Sequence, residues 1–196
     1  MHTQRLLAYA FIAGLGLLSA GSAMAAQDKN PNSLLIGSYR FFQNNTCLAV
    51  PGGDFGPPPG LAITATGFTD FGILTGVLTF DGVGNFTGHD HGISISGTSP
   101  SSQNSSPVQT FADNCNGTYE VRRDGSFITH GSCAGTDGSY TLTGLKFKGQ
   151  ISPDGSVWSD IAAEPVVQTL TLNNGFTIKR ICGTHATAVR IGQGQQ

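Results

Sequence analysis

Four turn dipeptides recur through the second half of the chain: Asp124-Gly125, Asp137-Gly138, Asp154-Gly155 and Asn174-Gly175. Asp-Gly and Asn-Gly tolerate the positive backbone angles that tight β-hairpins demand. The stretches between them are rich in Thr, Val, Ile, Phe and Tyr and poor in charge, which suits a pleated, half-buried surface. The spacing therefore predicts a meander of antiparallel strands.

Its members are expected at Thr110 to Arg122, Ser126 to Cys133, Ser139 to Ile151, Val157 to Leu172 and Phe176 to Ile191. Upstream, a strand is expected at Gly37 to Phe42 with a further piece at Cys47 to Val50, then Leu61 to Phe71, Ile73 to Phe80 and Asn85 to Ser96. Leu74, Leu78 and Phe80 share one face, Thr75 and Thr79 the other. Tyr140 and Leu142 are out of parity with Leu145 and Phe147, so a bulge at Gly144 is needed to keep all four inward. Pro51 to Gly60, with Pro57-Pro58-Pro59, cannot join a central strand and reads as a loop at a barrel mouth. Gln27 to Leu35 reads as a loose lead-in, and Gly97 to Val108 as an exposed Ser-rich loop. Eight or nine sequentially connected strands favour an all-β, antiparallel up-and-down barrel, since closure removes exposed edges; a β-sandwich is the alternative.

Residues 1–26 read as an export signal. Arg5 supplies the positive start, Leu6 to Leu18 the apolar stretch, and Ala23-Met24-Ala25 a small-x-small cleavage site. Residues 27–196 are then one barrel domain, periplasmic or extracellular in a bacterium. No later segment approaches the length of a membrane helix. An outer-membrane barrel would need an apolar outer band, yet Thr, Lys, Ser and Asn fill the faces opposite the apolar ones. Charged residues make up 11% of the chain and the net charge is −2, with no basic patch of the kind that binds nucleic acid.

Four cysteines in an exported chain argue for two disulfides. If Arg123-Asp124-Gly125 is a three-residue loop, Arg122 faces Ser126, and counting outward sets Cys115 opposite Cys133. By elimination Cys47 pairs with Cys182, one near the first strand and one in the last. That bond would staple the seam of a closed barrel.

Leu78-Thr79-Phe80-Asp81-Gly82-Val83-Gly84-Asn85, then Cys115-Asn116-Gly117-Thr118-Tyr119-Glu120-Val121 and Asp124-Gly125, form a pattern over about residues 35–180. It resembles small exported bacterial β-barrel proteins of lipocalin-like or allene-oxide-cyclase-like type. The resemblance implies the barrel and its export. Its motifs are turn and strand signatures, so it transfers no active site.

His89-Asp90-His91 is the sharpest chemical constellation. Residues two apart on a strand point the same way, so both imidazoles could meet one metal. Ile93 and Ile95 share their parity, which places the pair on the core-facing side; His130 and His185 are third-ligand candidates by type alone. The acid that would follow a cupin-like His-x-His is missing. Solvated imidazoles at a strand end are the plainer expectation, with no cofactor required. Glu120, Glu164, Asp113 and Asp160 offer carboxylates for acid–base work, but no spacing brings two together. No Gly-x-Ser-x-Gly occurs. Phe80, Tyr140, Phe147, Trp158 and Phe176 are candidates to line a cavity for an apolar ligand.

The expected function is thus binding of a small apolar molecule or envelope component in the lumen, gated by Pro51 to Gly60. A barrel-cavity cyclase or isomerase, a metal enzyme using His89 and His91, and a solid barrel acting as an interaction module are the alternatives. Side chains can also fill an eight-stranded barrel, and periodicity does not separate the outcomes.

Overall fold

The computed structural model describes residues 30–56, 66–97 and 108–192. The expected export signal, Pro57 to Gly60 of the mouth loop, and most of Gly97 to Val108 lie outside the described residues.

Nine strands follow in order: β1 (Ile36–Pro51), β2 (Phe68–Asp81), β3 (Asn85–Ser96), β4 (Val108–Val121), β5 (Ser126–Gly135), β6 (Tyr140–Ile151), β7 (Val157–Ala162), β8 (Val167–Leu172) and β9 (Thr177–Gly192). Each neighbour pair is antiparallel, and β9 returns to pair with β1 along nearly its whole length. The sheet is a closed barrel. β7 and β8 share one position in it: β7 pairs with the second half of β6 and β8 with the first, and both pair with β9. The expected single strand from Val157 to Leu172 is therefore broken at Ala163–Val166, where Pro165 can donate no ladder bond. Two upstream expectations are also corrected. β1 is continuous through Gln43–Thr46, and β2 runs unbroken through Gly72, so no hairpin separates Phe71 from Ile73.

The four expected tips are hairpin turns, and all have one build. The glycine amide donates to a carbonyl three residues back, as Gly125 N does to Arg122 O at 3.0 Å. The Asp or Asn side chain accepts from the amide two residues on, at 2.9–3.1 Å. Only the glycine needs φ near +70 to +80°, for example Gly125 at 79°. Gly144 has φ 79° and sits where β6 shifts register against β5, so the expected bulge is present.

One end of the barrel is closed. A 3₁₀ turn, Pro31–Leu34, packs there where a loose lead-in was expected. Asn30 caps it, and Pro31 at its first position costs no hydrogen bond. Asn32 Oδ1 accepts from Val121 N at 2.8 Å, and Tyr119 Oη donates to Leu35 O at 2.9 Å. Arg190 donates to Leu34 O at 2.9 Å and to Tyr39 Oη at 2.7 Å. Above this plug lies an aromatic floor. Phe80 contacts Tyr119 and Tyr39 edge to face, at 5.0 and 5.6 Å between centroids, and Trp158 meets Phe127 at 5.8 Å.

Cys47 lies opposite Cys182 across the β1–β9 seam, and Cys115 opposite Cys133 across β4–β5, each pair disulfide-bonded with Cα atoms 4.0 Å apart. Among the described residues no helix is long and apolar enough to cross a membrane.

Candidate functional site: the barrel lumen

Above the aromatic floor the inward side chains shrink. β2 presents Gly72 and Gly76 inward, β3 presents Gly92, Ser94 and Ser96, and β9 presents Thr184 and Ala186. Side chains of this size cannot meet across an eight-position barrel. They leave a cavity of about 870 Å³ that, among the described residues, is open at the end opposite the plug.

All five expected ligand-lining aromatics border this space. They do not share one environment. Phe80 and Trp158 are buried in the floor, while Phe176 stands at the mouth, 44% exposed, its ring 3.6 Å from where a Cβ at Gly52 would lie. Phe147 and Tyr140 lie between them on β6. β6 and β8 line it mostly with apolar side chains, Leu142, Leu145, Phe147 and Leu170, while β2–β4 mix apolar residues such as Leu74, Phe86 and Phe111 with Asp70, Asp90, Ser94, Ser96 and Asp113.

The histidines are placed otherwise than expected. His89 and His91 are exposed on the outside of the barrel, and Asp90 between them is buried and faces the lumen. His89 Nδ1 lies 3.2 Å from Asn114 Oδ1. Ile93 and Ile95, taken as core residues by parity, are 37% and 42% exposed. With Phe71 and Ile73 opposite them in register, they make an apolar outer face. Among the described residues the sole cluster with metal-ligating types is Asp90, Cys115 and Cys133, and its two sulfurs are bonded to each other. A disulfide offers no thiolate, so the donor set does not fit a metal.

The acids sort the same way. Glu120 is exposed, and Glu164 pairs with Lys146 at 2.9 Å outside. Asp113 and Asp160 are buried in the lumen, joined by Asp90, whose signal the histidine reading obscured. Asp90 and Asp113 are register neighbours. Burial and the neighbouring Asp113 charge push the Asp90 carboxyl up to about 7, against the pull of His89. Burial also raises Asp113, although a short hydrogen bond from Tyr140 Oη and the charge of Arg180 favour its anion. Asp160 is pushed up to about 8 by burial. Arg180, at the mouth side, donates to Gln168 Oε1 at 2.8 Å. Three buried polar atoms have no partner among the described residues: Asp90 Oδ1, Asp160 Oδ1 and Trp158 Nε1. Buried polar groups without partners are uncommon, and here all three belong to residues that border the cavity.

Arg180, Gln168, Asp70 and Asp90 are among the lumen groups that sequence reasoning passed over. Small residues flanking Asp90, Gly88 and Gly92, were the available signal: a Cβ at Gly92 would lie 2.8 Å from Phe111.

No family model matches the chain, and no curated protein matches it. Among solved structures, the S-type phycobiliprotein lyase CPES from Guillardia theta aligns over 83% of this chain and 92% of its own, at 9% identity and a TM-score of 0.31. A likeness that loose carries no argument about ligand or activity.

Proposed function

We propose that the protein is exported and that its barrel shelters a small, largely apolar molecule in the lumen. The observation that carries this reading is the open cavity of about 870 Å³ behind an aromatic floor. That volume lies in the range of ligand pockets, which are mostly apolar with a few convergent polar groups. Two disulfides suit an oxidising compartment, in keeping with residues 1–26 as an export signal. Binding would work by burial: the ligand's apolar surface replaces water against Leu142, Leu145, Phe147 and Leu170 and is held by the rigid sheet. Pro51, expected to begin the mouth loop, instead ends β1 opposite Ile178, so the candidate loop starts at Gly52.

Trp158, the single tryptophan, lies in the floor and makes the test direct. Titration of the purified, oxidised protein with the neutral dye N-phenyl-1-naphthylamine is expected to quench Trp158 emission saturably at one dye per chain. Thr184→Phe, which fills the lumen, is expected to weaken it. Trp158 emission unmoved by the dye sinks the reading.

A barrel-cavity isomerase has one observation in its favour, the Asp90–Asp113–Tyr140 acid cluster on the lumen wall. It predicts that ligand recovered after incubation is chemically altered, which mass spectrometry reads; unaltered ligand favours simple binding.

A further inference from the structure

The charges that line the lumen specify a head group for the ligand. Four carboxyl side chains, those of Asp70, Asp90, Asp113 and Asp160, border the cavity against one cationic side chain, Arg180, and no Lys or His does so among the described residues. Two of the four acids have protein donors: Asp70 Oδ1 accepts from Ser94 Oγ at 2.5 Å, and Asp113 accepts from Tyr140. Asp90 Oδ1 has none, and its Oδ2 lies 3.5 Å from a disulfide sulfur that carries no proton, but Asp90 has a second acid, Asp113, beside it in register.

Asp160 differs. Its side chain is 7% exposed, and Oδ1 is buried without a partner. The residues beside it in register are Gly149 on β6 and Ala186 on β9, neither of which can pair with it. Trp158, two residues earlier on β7, points to the same side and packs edge to face with Phe127 and Phe80. A lone buried carboxyl beside aromatic rings is an arrangement that suits a cation, because ring faces attract positive charge where water is excluded. The apolar wall of β6 and β8 offers a track for the remainder of the molecule.

We propose that the lumen takes a cationic amphiphile, an apolar body carrying a protonated amine, with the ammonium on Asp160 beside the Trp158, Phe127 and Phe80 rings. This inference rests on the lumen-binding reading and names the head group that the site selects. The ammonium would satisfy Asp160 Oδ1 and restore the charge that burial otherwise suppresses. An anionic head group placed at Asp160 would find a carboxyl there rather than a cation and is disfavoured at that position.

The test is displacement of the bound dye from the purified protein at pH 7 by dodecylamine, dodecan-1-ol and dodecanoate. Dodecylamine is expected to displace it about tenfold more tightly than the alcohol, with dodecanoate weakest. In Asp160→Asn the amine should fall to the affinity of the alcohol. Equal binding of amine and alcohol to the native protein overturns the proposal while leaving the lumen reading standing, as does dye binding that no chain displaces. An amine preference that survives Asp160→Asn also overturns it. Failure of the dye itself to reach Trp158 removes the lumen reading and the proposal together. The native amine-to-alcohol ratio decides the matter should the variant not fold.

Discussion

Asp160 is the residue on which the proposed head-group contact turns. An isolated buried carboxyl is costly, and its neutral form is favoured in the folded state. Its pKa rises from about 4 in the unfolded chain to about 8 when folded, so the associated stability is complete below pH 4 and is lost as the pH climbs through 8. Gly149 and Ala186 beside it do not titrate. Asp160→Asn should therefore be more stable than the native protein at pH 8 by about 1–3 kcal/mol and unfold at a higher temperature, with the gain vanishing near pH 4. Asp90 acts in the same direction up to about 7, so part of the native pH dependence persists in the variant. Thermal unfolding of both proteins across this range checks the claim, and parallel curves contradict it. Gly76 is a residue-scale requirement of another kind. A Cβ there would lie 2.4 Å from His89 O and 2.6 Å from Asp90 Cβ. Gly76→Val should cost about 1–3 kcal/mol in denaturant unfolding and displace Asp90 from the lumen wall.

Among the elements, turns were easy to read and faces were not. Asp-Gly encodes its hairpin through local backbone sterics and a side chain that bonds its own loop, so nothing distant is needed to recognise it. Asp81 applies the same chemistry between β2 and β3. Its carboxylate accepts from the amides of Val83, Gly84 and Asn85 at 2.8–2.9 Å and from Asn85 Nδ2 at 2.7 Å. Desolvation would raise its pKa, but these bonds together hold it at about 2. Asp81→Ala should lower stability at neutral pH by about 1 kcal/mol, and the native contribution should fade as the pH drops through 2. The inward face of β3 was misread because alternation is usually taken to put apolar residues inside. Here the inside of β3 is a cavity wall built of Gly, Asp and Ser, and Ile93 and Ile95 lie outside with Phe71 and Ile73. Whether an inner face is packed or hollow depends on what stands across the barrel, and no local pattern carries that information. The 3₁₀ plug was missed for a related reason: the Asn30-Pro31 start is a local cue, but the burial of Leu34 and Leu35 is not.

At the scale of the molecule, the barrel is a ribbon fastened where its ends meet. The pairing Cys115–Cys133 followed from counting out of one turn, and Cys47–Cys182 from elimination. Their loops differ greatly, with sequence separations of 18 and 135 residues. On loop-closure entropy, losing the short link should cost about 3 kcal/mol and losing the seam link about 5 kcal/mol. Urea unfolding of Cys115→Ser/Cys133→Ser and Cys47→Ser/Cys182→Ser double variants measures both, and an equal or reversed order contradicts the role assigned to the seam. The closed end, the rigid seam and the tapering inner wall together produce the hollow on which the functional reading depends. An apolar compound has two surfaces to choose from, the lumen and the outer face of β1–β3. Their discrimination is the most direct test. A crystal structure of the protein soaked with 12-bromododecan-1-ol would locate the bromine by its anomalous signal. The account predicts bromine inside the barrel, along the wall of Leu142, Leu145, Phe147 and Leu170; bromine found only against Phe71, Ile73, Ile93 and Ile95 on the outside would contradict it.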